Sequence, residues 1–196
     1  TAPDKDIQHV LDLREILAQL QSWLADNPPL IGVNWASMLE LGFRSLSWLS
    51  ALHLLLGDAD EGSGAGNRDD ADGAWTVDLL LALHRQLEHV ARNLSRYFSP
   101  NTHLLGEALA LYVVGQSLPE LARSPRWTDL GRRILLEQID RQIEPDGGHA
   151  ERSLHYHRYA HDSYLLALPT AERGGDEEAA AAFREAAGRM ATFLRE

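Results

Sequence analysis

Apolar residues recur at three- and four-residue intervals along nearly the whole chain, and that period predicts helix after helix. In 7–24 the repeat reads Val10, Leu11, Leu13, Ile16, Leu17, Leu20, Trp23, Leu24, and Asn27-Pro28-Pro29 ends it. A second helix is expected over 34–56, with Asn34 as N-cap. It is apolar around much of its circumference, which suits a helix packed between others. Further helices are expected over 76–97, 101–115, 127–143, 151–168 and 176–194. The breakers between them are short: Ser99-Pro100, the stretch 117–125, and Pro145-Asp146-Gly147-Gly148. No segment alternates with period two, so an all-α fold of antiparallel helical hairpins is expected.

One interruption is longer. Residues 57–74, GDADEGSGAGNRDDADGA, read as a flexible acidic, glycine-rich loop. Its aspartates invite a calcium reading, but the twelve-residue ligand order and closing glutamate of an EF-hand are missing. A solvated loop is the better reading.

The 196 residues suffice for a single domain, 1–196, with its own core. No apolar run reaches the ~20 residues of a membrane helix, and no membrane partner is expected. Absence of cysteine excludes disulfides, zinc-thiolate sites and thiol nucleophiles. With 18 basic against 29 acidic residues the net charge is −11, which repels nucleic acid. The chain opens TAPDKD without an initiator methionine, so it is expected to be a processed protein or a piece of a longer one.

Candidate chemistry gathers in three stretches. In HAERSLHYHRYAHD, 149–162, His157 and His161 share a helical face. That spacing matches a zinc-binding pair, but the glutamate of HExxH is absent, so no metal is expected. Tyr156 and Tyr159 either pack their rings in the core or offer a hydroxyl to a cleft. In RYFSPNTHLLGEALALY, 96–112, Asn101 or Ser99 can cap a helix. His103 and Glu107, four apart, suit a structural bridge and a catalytic orienter equally. In NWASMLELGFRSLSWL, 34–49, Glu40 and Arg44 are expected to form an i,i+4 salt bridge. Asn34 and Trp35 can present an amide and a stacking ring to a sugar.

Taken in order, NWASMLELGFRSLSWLSALHLL, YFSPNTHLLGEALALYVVGQSLPEL and WTDLGRRILLEQIDRQIEPDGGHAERSLHYHRYAHDSYLLAL resemble the N-terminal helical domain of heparinase II/III-like polysaccharide lyases, a group that includes related alginate lyases. The resemblance covers roughly 30–168 and implies an incomplete (α/α) toroid. In that family a C-terminal β-sandwich follows, the cleft lies between the domains, and uronate-containing polysaccharides are cut by β-elimination. It implies carboxylate neutralisation for Asn101, proton donation for Tyr156, alone or together with proton removal, and an orienting or assisting role for His103. Asn34, Trp35, Arg44, His157 and Tyr159 become candidate substrate contacts. No cofactor is implied; the partners are an acidic, uronate-containing polysaccharide and the β-sandwich of the same parent chain. A periplasmic or secreted location follows from the same resemblance. Two positions depart from the family pattern. Many relatives place Asn directly before His where this chain has Asn101-Thr102-His103, and Arg152 stands where many have Gln. Without a β-sandwich the chain is expected to be inactive alone. The alternatives are a non-catalytic carbohydrate-binding domain and a helical protein-interaction domain.

Overall fold

A computed structural model of the chain describes residues 5–61, 70–97 and 100–195. Among them are seven α-helices and no strand: α1 Lys5–Asp26, α2 Met38–Glu61, α3 Asp70–Arg92, α4 Thr102–Ser117, α5 Ser124–Gln142, α6 Leu154–Arg173 and α7 Glu177–Phe193. The expected all-α fold is the observed one, and most helices fall within a few residues of their sequence period.

The differences have local causes. α2 begins at Met38 because Gly32 takes φ 82° and Val33–Trp35 forms a separate 3-10 turn. Ser37 Oγ, not Asn34, accepts the Glu40 N–H at 3.3 Å. α2 runs to Glu61 and α3 starts at Asp70, so both ends of the segment read as a loop over 57–74 are helical. A single Gly costs a helix only about 1 kcal/mol, and the strongly apolar neighbours carry the helices through. Residues 62–69 lie outside the described residues. α6 runs through Pro169 to Arg173 rather than stopping near 168, with Thr170 and Ala171 buried beyond the proline. Burying that last turn offsets the amide bond the ring removes.

Contacts between the helices set their directions. Leu39 and Gly42 of α2 lie against Gly106 and Ala110 of α4, and Tyr159 of α6 also reaches Gly106. Thr102 meets Glu151, just before α6. Sequence number therefore rises together along α2, α4 and α6, which run parallel. By contrast, Gly115 meets Ser124 and Gly131 meets Ala108, so α5 runs against α4. In the same way Tyr164 packs on Phe183 and Glu172 pairs with Arg184, so α7 runs against α6. Helices α2, α4 and α6 form an inner layer, and α3, α5 and α7 an outer one. This is the hairpin array of an incomplete (α/α) toroid.

The core follows from that layering. Leu105, Ala108, Leu109 and Tyr112 of α4 pack against Ile134, Tyr164 and Phe183. On its other side α4 gives Leu111 and Val114 to Trp127, Leu87 and Leu41. A third cluster joins Trp48, Leu79 and Leu83 to Trp23 and Trp75. At the α4–α5 crossing a Cβ on Gly131 would lie 2.6 Å from both Ala108 O and Tyr112 N. The backbones touch there, and only hydrogen fits. Gly131→Ala should therefore destabilise the chain by about 1–3 kcal/mol despite alanine's better helix propensity. Urea unfolding of the two proteins at equal m-value measures it.

Candidate functional site

The parallel inner helices bring three N-terminal ends to the same end of the toroid. Each end carries the partial positive charge of a helix N-terminus, although at α4 Asn101 and Glu151 already take the first N–H groups. In a chain of net charge −11, this is where a carboxylate finds a favourable field. The residues singled out in the sequence sit at these ends.

Asn101 is the N-cap of α4. Its Oδ1 accepts the His103 N–H at 3.1 Å and faces His103 Nδ1 at 3.2 Å. Thr102, the first helical residue, donates both its N–H (3.1 Å) and its hydroxyl (2.8 Å) to Glu151 Oε1. Glu107 does not hold the His103 ring as an orienter. It is wholly buried, and its two oxygens accept the Ser95 N–H at 2.8 Å and the Ser95 hydroxyl at 2.6 Å. Burial pushes its carboxyl up, against the pull of the Ser95 donors and the His103 field.

The turn before α6 is built for position. Gly147 takes φ 91°, where a Cβ would overlap the Arg189 carbonyl. Glu144 N–H donates to Gly148 O and Ala150 N–H to Gln142 O, both at 2.8 Å. Arg189 of α7 clasps the turn from outside through Ile143 O and Glu144 O, at 3.4 and 3.1 Å. The turn buries His149 against Gln142. The Gln142 amide N–H groups donate to Asn101 O (3.0 Å) and Gln138 Oε1 (2.8 Å). Its Oε1 is therefore the acceptor for His149 Nε2–H at 3.0 Å, which leaves Nδ1 to accept the Glu151 N–H at 3.3 Å. This assigns a neutral Nε2–H tautomer. Burial lowers the His149 pKa, partly opposed by Glu151. One polar chain thus runs Gln138, Gln142, His149, Glu151, Thr102, tying the ends of α4, α5 and α6 together.

Arg152 follows with φ 52°, a left-handed conformation strained for a side chain with a Cβ. Then α6 presents its tyrosines differently. Tyr156 is 41% exposed, its ring edge-on to His155 at 5.5 Å. Tyr159 turns inward instead. Its ring meets Phe43 edge-on at 5.7 Å, and its hydroxyl sits so close to Gly106 that a Cβ there would overlap it. That hydroxyl is sealed from solvent with no hydrogen-bond partner among the described residues. Burial raises its pKa, helped by the fields of Glu107, Glu151 and Glu40. His157 is no surface contact: it is buried, its Nε2 meets Met190 O at 3.0 Å, and its ring stacks on Phe193 at 5.1 Å. His161 faces Asp162 at 3.6 Å. Among the described residues, no group of three or more His, Asp or Glu could hold a metal.

At the third end, Asn34 Nδ2 donates to Asn27 Oδ1. Trp35 is 6% exposed and belongs to the core around Leu41 and Trp127, so its ring is not an open stacking platform. Arg44 does not close on Glu40. It donates to Gln86 Oε1 at 2.6 Å and Asn34 O at 2.9 Å, and stacks 4.3 Å over the Trp23 ring. The rings of Trp23, Trp35, Trp48 and Trp75 line a cavity of about 400 Å³ beside it. Burial lowers the Arg44 pKa, with Glu40 opposing. An aromatic cage holds the cation better than an exposed i,i+4 partner does.

Chemically, the end of the toroid offers an exposed phenol, an oriented amide, an imidazole beside it and the positive ends of helices. The linking residues, Thr102, Gln142 and His149, carry no motif, and only the hairpin turn brings them together. The one signal in the sequence was Pro145-Asp146-Gly147-Gly148, a tight turn immediately before a histidine and a glutamate.

Comparison with known proteins agrees with this architecture. The heparan sulfate lyase HepC of Pedobacter heparinus superposes with a TM-score of 0.69 at 25% identity, over 96% of this chain and 29% of that one. A crystal structure of heparinase III superposes at 0.71 over 93% and 26%, and at 24% identity speaks to the fold alone. By sequence, heparin-sulfate lyase of Pedobacter heparinus is 33% identical over 100 residues, 51% of this chain. That of Bacteroides thetaiotaomicron is 41% identical over 61 residues, 31% of this chain. The chain spans only 15% and 9% of these two relatives' lengths. The Heparinase II/III N-terminus family matches residues 13–195, and the chain belongs to that family.

The polar chain has a pH signature. The folded pKa of His149 lies below its ordinary 6.5, so in the interval beneath 6.5 the unfolded chain binds a proton that the folded chain does not. Its contribution is full above pH 6.5 and lost as pH falls. His149→Gln should remove this part of the slope. The loss in urea midpoint between pH 7.5 and pH 5 should be smaller in the variant than in the unaltered chain.

Proposed function

We propose that the chain is the N-terminal toroid domain of a lyase that cleaves uronate-containing glycosaminoglycans by β-elimination. The observation that carries the reading is the contact of Thr102 with Glu151 at 2.8 Å. It pins the Asn101–His103 cap to the segment that leads into Tyr156. The relatives named heparin-sulfate lyase support the substrate class. Because the chain spans a small share of those relatives, turnover is assigned to a longer protein in which a second domain completes the cleft.

The reaction sets what the residues must do. A base removes the proton from C5 of the uronate. Its electron pair forms the C4–C5 double bond, the C4–O bond breaks, and the leaving oxygen takes a proton. Removing a proton beside a carboxylate concentrates negative charge, so donors and positive dipole ends aimed at that carboxylate stabilise the transition state. We assign the carboxylate to the mouth formed by the α4 and α6 N-termini, with Asn101 and His103 as its contacts. Tyr156 supplies the proton to the leaving oxygen, and its exposed hydroxyl is the phenol on α6 that solvent and substrate can reach. Tyr159 cannot share this duty, because its hydroxyl is sealed against Gly106. Asn34, Arg44 and His157 act by holding the wall rather than by touching sugar.

The test uses the longer protein carrying this chain, on heparan sulfate and on alginate, with absorbance of the C4–C5 double bond as readout. Tyr156→Phe should lower kcat by about 10²–10⁴ and leave the urea midpoint unchanged. Unchanged turnover would overturn the role of Tyr156. Asn101→Ala should lower kcat by about 10²–10³ as well as costing a helix cap. A loss of about 0.5–2 kcal/mol in stability with normal turnover would reduce Asn101 to a cap.

A further inference from the structure

The toroid's outer layer carries a feature the site at the inner-helix ends does not use. Between α3 and α5 runs a groove of about 680 Å³, floored by Ala91, Leu94 and Leu130 and rimmed by Arg96, Arg126 and Arg133, with Asp129 on the same rim. Arg126 and Arg133 are seven residues apart on α5, so they lie on one face about 10 Å apart along the axis. Arg96 follows the end of α3. Arg92 and Arg123 flank the groove, and both are exposed.

Five guanidiniums on one face are unexpected in a chain with 18 basic and 29 acidic residues. Only Arg92 is paired, with Glu88 at 2.6 Å. Arg96, Arg123, Arg126 and Arg133 have no carboxylate within ion-pair distance among the described residues. Glu88, the buried carboxylate nearest the groove, is already spoken for. Its other oxygen accepts the Trp127 indole N–H at 3.0 Å. Burial pushes the Glu88 pKa up, but Trp127 and the fields of Arg92, Arg123 and Arg126 outweigh it and hold it low. It anchors α3 to α5, and its charge in turn offsets part of the field of Arg92, Arg123 and Arg126, while Arg96 and Arg133 stand outside that set.

We infer that this outer groove is a second, non-catalytic binding surface for an anionic polysaccharide. Guanidinium forks match the planar or tripodal oxygens of carboxylates and sulfates bidentately, and an unpaired row of them is a polyanion track. Nucleic acid fits less well: none of the groove-lining residues is aromatic, so bases have no ring to stack on. The choice of polysaccharide rests on the function proposed above; the anion-binding character does not. α3 and α5 lie in the outer layer, whereas Tyr156 and His103 belong to inner-helix ends. A polymer held on the outer face would raise the concentration of chain ends and loops near the mouth.

Heparin binding to the unaltered chain, measured calorimetrically at two salt concentrations, tests the inference. The triple variant R96S/R126S/R133S should weaken binding at least about tenfold and lower the salt slope by about three. Because Arg96 is half-buried, the double variant R126S/R133S accompanies it; its fold is checked by circular dichroism, and it should lose affinity in the same direction. R184S, which alters an arginine of the α6–α7 face outside the groove, should leave heparin affinity unchanged. No binding by the unaltered chain, unchanged affinity in both arginine variants, or single-stranded DNA bound as tightly as heparin through the same arginines would each overturn it. In the longer protein the arginine variants should raise KM on polymeric heparan sulfate and spare kcat on short oligosaccharides. Loss of heparin affinity in a protein without lyase turnover would sink the catalytic reading and leave the groove standing.

Discussion

Everything in this structure leans on α4. Twelve of its sixteen residues are buried, so it meets neighbours on every side and has no solvent face to fall back on. Such a helix is held by contact on all flanks, and close approach is what makes the contact possible. Gly42, Gly106, Gly115 and Gly131 are the places where backbone meets backbone or a neighbouring side chain with no room for a Cβ or little to spare. Around this axle α2 and α6 run parallel to it and α5 antiparallel. Parallel packing of α2 and α6 on a common partner puts their N-terminal ends beside its own.

The polar network is the complement of that packing. A helix buried at its N-terminus must satisfy its first N–H groups without water. Asn101 takes one and Glu151 another, and the glutamate comes from a different helical hairpin. The same bond that solves a backbone problem for α4 thereby fixes the register of α6. The cap of α4 and the junction with the segment before α6 are thus built from the same residues.

Much of the architecture was legible in the sequence because one-sided burial writes a 3.6-residue period into a helix. The period around Trp127–Ile139 needed no tertiary information, and the nearly unbroken apolar run Leu104–Val114 marked a helix enclosed by others. Family membership was legible too, from three ordered stretches rather than from any one motif. What sequence could not show was direction. His157 and His161 share a face by spacing, but which face meets α7 is decided by Phe193 and Met190, more than thirty residues away. Trp35 and Arg44 looked like a sugar platform and a salt bridge; Trp23 from α1 and Trp48 from α2 join Trp35 around the Arg44 guanidinium instead. Likewise Glu107 read as a partner for His103 by helical spacing, whereas Ser95, outside the helix, claims both its oxygens. In each case a long-range contact overrode a correct local inference.

The Arg189 clasp over the Gly147 turn carries a further meaning. It couples the last turns of α7 to the hairpin that seats His149 through two backbone carbonyls of that turn, so opening one strains the other. His157 adds a second rivet through Met190 and Phe193. Fraying at the C-terminal end of the seventh helix is therefore not a harmless event at the edge of the fold. It loosens the seat of His149 and, through Glu151, the start of α4. A contact made on α7 at that edge therefore bears on the start of α4 from behind.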